Sequence, residues 1–232
     1  MNREVKSMEK CIVAGKRVCV YPAQRKDAPL VLLHEIKDEG EQVYKLAIEL
    51  SEKEFSLASI GNLDWDGDMS PWALPPLFKG NSPCTGKADE YLPQLTDCIV
   101  PKILQLLSAK PQYIALAGYS LAGLFAVYSL YKTTMFSRIA SASGSFWYPD
   151  FLPYAENNDL KIKPQCMYFS LGDREARGRN KLLRTVEANT RALHDWYEEQ
   201  GINITLEMNE GTHFQNTELR MAKGIAWMIN PY

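Results

Sequence analysis

The stretch Tyr113-Ile-Ala-Leu-Ala-Gly-Tyr-Ser-Leu-Ala-Gly-Leu-Phe-Ala constrains this chain more than any other. Residues 113–117 form an apolar run of strand composition. Residues 121–132 carry the apolar pattern of a helix, and only Gly118, Tyr119 and Ser120 stand between. A strand that becomes a helix within three residues forces its central residue into an unusual backbone conformation. It also presses strand against helix, so the positions two before and two after the centre must be small. Gly118 and Ala122 meet that demand. Ser120 then projects beyond the end of a sheet, at a helix N-terminus whose free N–H groups favour negative charge. That is the setting of a nucleophilic serine. The pattern departs from strict G-x-S-x-G, because Ala122 takes the second glycine position and Gly123 follows it.

Around this unit, apolar runs alternate with helical patterns, which predicts βα units on a mainly parallel sheet with helices on both faces. Strands are expected at 11–14 and 17–21 (a hairpin about Gly15), 30–33, 55–60, 113–117, 138–141, 167–171 and 202–208. Helices are expected at 41–53, 88–108 with breaks at Pro93 and Pro101, 121–132, 180–201 and 217–228. Residues 61–86 and 143–164 read as long loops. A loop of that length is usually functional. The chain has 232 residues, enough for one large domain covering 1–232, with 1–29 as a hairpin segment of it and little or no separate lid.

A nucleophilic serine needs a base, and the base needs an orienting group. The chain has three histidines. His194 lies in the 180–201 helix beside Asp195, Glu198 and Glu199 and reads as part of a solvated face. His34 ends the 30–33 strand, upstream of the serine. His213 follows the last strand, in Glu210-Gly211-Thr212-His213-Phe214, and the chain order serine, acid, histidine selects it. The acid should follow the 167–171 strand, where Gly172-Asp173-Arg174-Glu175 offers two carboxylates. Either could instead serve as a cap. An oxyanion needs two N–H donors. One is the N–H of Leu121. The other belongs to the loop Leu33-His34-Glu35-Ile36, from Glu35 or Ile36, and His34 then shapes that loop rather than acting as base.

Composition narrows the function classes. A formal net charge of −2 implies no basic face, so no nucleic-acid partner is expected. No apolar run reaches the ~18 residues of a membrane span, and residues 1–10 lack the apolar core of a signal peptide. A cytoplasmic location is the resulting expectation. Five cysteines (11, 19, 84, 98 and 166) give no disulfide framework and no zinc spacing, and read as buried free thiols.

The ordered set Leu32-Leu33-His34, Gly118 to Gly123, Ser141-Ala142-Ser143-Gly144-Ser145, Ser170 to Glu175 and Gly211 to Phe214 resembles the putative-esterase branch of the α/β-hydrolases. That branch holds esterase D-like enzymes and the ferric-enterochelin esterases, which open siderophore trilactones. The resemblance runs from about residue 30 to 229. It implies an α/β-hydrolase fold and ester hydrolysis through an acyl-enzyme, with no metal or other cofactor. In this branch the strand before the acid often ends in Gly-x-x-acid, which falls on Glu175 and leaves Asp173 as the alternative. The substrate implied is a small-molecule ester, and a siderophore or other lactone is one form of it. Acyl transfer or thioester cleavage would use the same fold. A binding protein without catalysis is the reading from another class.

The Asn62 to Trp72 stretch carries three aspartates, but their order does not match an EF-hand loop. Asx-turns explain them better. Trp65, Trp72, Tyr119 and Trp147 are the candidate walls of the substrate pocket, with core packing as the alternative for each.

Overall fold

The computed structural model describes residues 8–230. The elements in chain order are β1 (Glu9–Val13), β2 (Lys16–Tyr21), β3 (Leu30–His34), α1 (Gly40–Leu50), β4 (Ser56–Gly61), α2 (Trp65–Asp68), β5 (Ala73–Leu74) and β6 (Cys84–Thr85). Then come α3 (Ala88–Gln94), α4 (Val100–Leu106), β7 (Ile114–Tyr119), α5 (Leu121–Ser129), β8 (Arg138–Ala142) and α6 (Phe151–Asn157). The last are β9 (Cys166–Gly172), α7 (Val186–Glu199), β10 (Asn203–Asn209) and α8 (Thr217–Ile229).

Eight strands make the main sheet, in the order β1-β2-β4-β3-β7-β8-β9-β10. From β4 to β10 every pairing is parallel, and β1 and β2 join antiparallel at one edge. The β1–β2 turn uses Ala14 and Gly15, both at positive φ, which suits the twist of a two-residue hairpin. Strands β3, β4 and β9 are buried at every position, as expected where both faces of a parallel sheet are covered.

Helices α1 and α8 cover one face. Val43, Tyr44 and Ala47 join Met221, Ala222 and Ile225 over Val31, Leu33, Ala115 and Ala117. Helices α3 to α7 cover the other face, over Leu32, Leu116, Ile139 and Phe169. Helix α5 is buried along its whole length, which explains its lack of a polar stripe. This is the α/β-hydrolase architecture, and the strand carboxyl ends gather at one rim, where such folds build their sites.

Three loop or break expectations change. The 88–108 segment does not break at its prolines. A π turn, Leu95–Ile99, links α3 to α4, and the Val100 N–H reaches back five residues to the Leu95 carbonyl. Pro101 has no N–H for the normal ladder, and a widened turn absorbs that loss. The 143–164 stretch contains α6, whose Phe151 and Ala155 are buried; its short length hid the helical period. Residues 61–86 contain α2 and the β5–β6 ribbon. Helix α7 starts later than expected, because the Asn180 side chain accepts from the Leu182 and Leu183 N–H groups and holds a separate turn there. All five cysteines are free. Cys11 stands opposite Val18, Cys98 is exposed, and Cys11 is half-buried, so the buried-thiol reading fails for these two.

Candidate active site

Ser120 sits where β7 becomes α5, at φ 58° and ψ −123°. That conformation is costly for a non-glycine residue and persists only where its surroundings fix it. Here they do: Ser120 N–H donates to the Ala142 carbonyl at 3.1 Å, and its carbonyl accepts from Ser145 N–H at 3.0 Å and Leu124 N–H at 3.1 Å. The small-residue rule holds as well. A Cβ on Gly118 would stand 2.3 Å from the Ala122 carbonyl oxygen, so Gly118 is required once Ala122 lies behind it.

His213 Nε2 lies 3.0 Å from Ser120 Oγ, and its Nδ1 lies 2.7 Å from Glu175 Oε2. The serine comes from the end of β7, the carboxylate from the turn after β9 and the imidazole from the loop after β10. Glu175 is almost completely buried, with its side chain 3% exposed. Burial alone would raise its pKa. The His213 contact, with help from the Ser143 hydroxyl and the Gly172 N–H, outweighs burial and keeps it below the ordinary carboxylate value. Oε1 accepts from Gly172 N–H at 2.7 Å, Ser143 Oγ at 2.8 Å and Arg220 Nη1 at 3.1 Å. An ionised carboxylate hydrogen-bonded to imidazole, itself bonded to a serine hydroxyl, is an arrangement that can strip the serine proton.

The "Putative esterase" family model matches residues 41–202. The chain belongs to that family. The esterase is 26% identical to the uncharacterized protein YbbA of Bacillus subtilis (strain 168) over 174 residues, 70% of each chain. Among solved structures it resembles an IroE-like serine hydrolase from Shewanella oneidensis, with TM-score 0.77 and 17% identity, covering 96% of this chain and 80% of that one. It also resembles the siderophore hydrolase EstA of Aspergillus nidulans, with TM-score 0.71 and 20% identity, covering 95% and 93% of the two chains. The chain is a carboxylic ester hydrolase on an α/β-hydrolase fold.

In the esterase, Asp173 does not reach the histidine. Its Oδ1 accepts from the Gly211 N–H at 2.8 Å and so ties the acid's turn to the base's loop. Gly211 itself needs φ 113°, and a Cβ there would strike Gln215 at 2.3 Å. His194 meets Asp195 at 2.9 Å on α7 and is partly covered rather than fully solvated. His34 is buried and bonds Tyr91 Oη through Nε2 at 2.8 Å. Burial, with Lys16 nearby, lowers its pKa to about 3, so it stays neutral and structural.

The oxyanion expectation needs one correction. Glu35 N–H donates to the Ile60 carbonyl at 3.0 Å, because the β3–β4 ladder continues one residue beyond the strand. It has no N–H left for a substrate. The Glu35 carboxylate, also buried, anchors this loop through Gly40 N–H at 2.6 Å and Arg17 Nη2 at 3.1 Å. Ile36 remains as the candidate beside Leu121. Pairing of β3 with β7 sets His34 opposite Gly118, so Ile36 and Ser120 each lie two residues past the same register pair. The Ile36 N–H meets Glu39 Oε1 at 3.2 Å.

The pocket candidates divide. Trp65 lies beside Ile36 on a cavity of about 280 Å³ also lined by Arg17, Glu35 and Asn62. The half-buried Trp72 ring packs against Tyr128, Tyr148, Phe151 and Tyr154, and its Nε1 donates to the Pro149 carbonyl at 3.1 Å, which favours the packing alternative. Trp147 is half-buried against Tyr148. Tyr119 donates its hydroxyl to the His213 carbonyl at 2.8 Å and so ties the serine turn to the histidine loop. Two of the three aspartates of the Asn62–Trp72 stretch are paired: Asp68 accepts from Lys16 and the Asp64 N–H, and Asp64 meets Lys87.

The sequence reading missed Ser143, Ser145 and Arg220. Ser145 Oγ lies 3.3 Å from Ser120 Oγ, and Ser143 and Arg220 both bond the buried acid. Arg220 could have been noticed as a lone cation on the apolar stripe of α8.

Proposed function

We propose that Ser120 is the nucleophile, His213 the general base and Glu175 the orienting acid of an acyl-enzyme mechanism. Ser120 Oγ attacks the ester carbonyl as His213 Nε2 takes its proton. The C–O bond to the alcohol breaks and His213 returns the proton to the leaving alkoxide. Water, deprotonated by His213, then attacks the acyl-serine; the acyl bond to Ser120 Oγ breaks, His213 returns the proton to Ser120 Oγ, and the acid leaves. Glu175 holds the Nδ1–H tautomer and stabilises the imidazolium. Leu121 and Ile36 N–H groups hold the oxyanion. The observation that carries this reading is the unbroken chain Ser120–His213–Glu175, at 3.0 and 2.7 Å, centred on a serine at positive φ. Ser120→Ala should lower kcat by on the order of 10³-fold or more and abolish fluorophosphonate labelling, with the thermal midpoint retained. Near-normal turnover of a good ester by this variant would sink the mechanism.

A narrower substrate reading, a siderophore-type or other lactone ester with acidic groups, has two supports. One is likeness to the siderophore hydrolase EstA. The other is charge. Arg177, Arg179, Lys181 and Arg184 are exposed on the segment that leaves Glu175. That segment meets the loop between β5 and β6 where Asn180 Nδ2 donates to the Leu77 carbonyl at 3.3 Å. In the sheet order, β3, β7 and β8 stand between β4, which leads into that loop, and β9, so the contact bridges the strands that frame the serine. The expected result is a preference for a carboxylate-bearing ester over its neutral methyl ester, weakening as salt rises from 50 to 500 mM, as screened attraction must. Equal kcat/KM for the pair at both salts would leave simple ester hydrolysis and remove the narrower reading. Product formation that depends on an added alcohol or thiol acceptor would instead mark acyl transfer. Five free thiols support a reducing, cytoplasmic setting. The edge hairpin pairs into the main sheet, which supports one domain.

A further inference from the structure

Arg220 is the largest fully buried side chain among the described residues, on α8, and the ester mechanism above assigns it no step. Its Nη1 donates to Glu175 Oε1 at 3.1 Å and lies 3.3 Å from both Ser143 Oγ and Tyr119 Oη. Its Nη2 donates to the Glu210 carbonyl at 3.0 Å. Tyr119 in turn donates to the His213 carbonyl at 2.8 Å. One guanidinium therefore touches the residue before the nucleophile, the acid, and the loop that carries the base. We propose that Arg220 is the positioning residue of this site, fixing the Glu175 carboxylate so that only Oε2 faces His213 and locking the histidine loop to the serine turn. The inference rests on the Ser120–His213–Glu175 reading.

A carboxylate can rotate and offer either oxygen. Three donors on Oε1, from Gly172, Ser143 and Arg220, remove that freedom and leave Oε2 for Nδ1. Reaction rates are sensitive to misplacements of about 1 Å, so a fixed carboxylate matters. Burying a guanidinium costs much desolvation, and apolar side chains of similar volume usually pack as well or better. Packing alone therefore does not account for a cation here. The charge also has a direct effect. The guanidinium sets a positive charge against the carboxylate that faces His213, so part of the Glu175 charge is balanced on its Oε1 side. The other titratable or charged groups at this pair are Tyr119, from β7, and Asp173 and Arg174 on the acid's own turn. The last two are exposed, and Asp173 is held by the Gly211 N–H.

The test compares Arg220→Met, Arg220→Lys, Glu175→Gln and the double variant Glu175→Gln/Arg220→Met, with kcat per active site titrated by a fluorophosphonate. Removing the charge should lower kcat by on the order of 10- to 100-fold with KM within about twofold. It should also move the acidic limb of kcat/KM to higher pH by about half a unit or more. The sign follows because loss of a nearby cation makes the imidazolium easier to form. Arg220→Lys keeps the charge but not the fork, so its limb should stay near wild type while kcat falls. In the Glu175→Gln background the Met substitution should cost clearly less kcat than it does alone, since the part of the Arg220 effect that passes through that carboxylate is already lost and only its hold on the histidine loop remains. A Met variant with a wild-type limb and normal kcat per titrated site overturns the proposal, as does a full additional loss in the double variant. If Arg220→Met fails to fold, the decision falls to Arg220→Lys and the double variant, which leaves no unpaired buried charge. A folded double variant with the kcat of Glu175→Gln then supports the proposal.

Discussion

The two halves of the active site are built differently. On the acid–base side, Glu175, His213, Ser143, Tyr119, Asp173 and Arg220 form a closed network drawn from β7, the loops after β8, β9 and β10, and α8, with the carboxylate almost fully buried. On the oxyanion side, the loop after β3 is fixed at its base by Glu35 and Arg17, but its tip is open: Ile36 is 52% exposed, and its N–H is spent on the neighbouring Glu39. The halves also hold different histidines. His213 is hydrogen-bonded at both nitrogens, whereas His34 is sealed in with its Nδ1 unpartnered. The first half is preorganised for proton movement. The second has an anchored base and an exposed rim.

The largest expected effect lies on the closed side. Glu175→Gln removes the charge that holds the imidazolium and should lower kcat by on the order of 10²-fold or more, with KM little changed. Asp173→Asn loses only part of its hold on Gly211 N–H and should cost about 1 kcal/mol of stability with near-normal kcat. Measuring kcat and the thermal midpoint for both variants separates the roles. An inactive but stably folded Asp173→Asn would move the acid two residues upstream and break the contrast between a buried acid and an exposed tether.

What the sequence revealed follows the same division. The serine turn was legible because its constraint is local: Gly118 must lack a Cβ when Ala122 sits 2.3 Å away, and that shows in six consecutive residues. His213 was legible from chain order, and Glu175 only through the spacing shared with related esterases. Arg220 stands out locally only as a cation on an apolar helix stripe; its partners lie on β7 and on the loops after β8, β9 and β10, between 10 and 101 residues away, and no local pattern encodes that meeting. Glu35 and Ile36 stayed open alternatives for another reason. A strand's ladder can run one residue past its apolar run, and that single extra pairing, Glu35 N–H to Ile60, takes the Glu35 N–H into the sheet, whereas the Ile36 N–H meets only a side chain. Helix α6 was hidden because seven residues, with Pro153 among them, carry too little periodicity.

A second, smaller effect sharpens the comparison of the histidines. In the folded state His34 takes up a proton only near pH 3, whereas in the unfolded chain it does so near its ordinary value of about 6.5. The unfolded state therefore binds more protons between these values. The stabilising contribution is complete above about pH 6.5 and is lost progressively as pH falls toward 3, by up to a few kcal/mol. The Glu175 contribution has the same sign but starts lower, below about pH 4.3, since its folded pKa is also depressed. In His34→Gln, urea unfolding measured from pH 7 to 4 should show a flatter decline than in the unsubstituted protein. Equal slopes would mean that His34 is not held neutral, and that the oxyanion side lacks the anchored base described here.

The smallest expected effect concerns Glu39. Its carboxylate accepts from the N–H groups of Ile36 and Lys37, so a negative charge sits on the N–H proposed as the second oxyanion donor. An oxyanion forming at Ser120 would have to compete with that carboxylate for the Ile36 N–H and would be repelled by it. A fully formed donor is worth on the order of 10²-fold in kcat, but an exposed rim can release it at lower cost, so only part of that factor is at stake. Glu39 is also the residue before α1, and its side chain makes no cap contact with the helix N–H groups, so its removal should leave α1 intact. Glu39→Ala should therefore raise kcat/KM on a neutral activated ester by about two- to fivefold, with little change in thermal midpoint. On a carboxylate-bearing ester the gain should be larger, because a repelling charge has gone. A fall in kcat/KM on both esters would show that Glu39 shapes the loop for catalysis rather than blocking it, and the oxyanion side would then be as preorganised as the acid–base side.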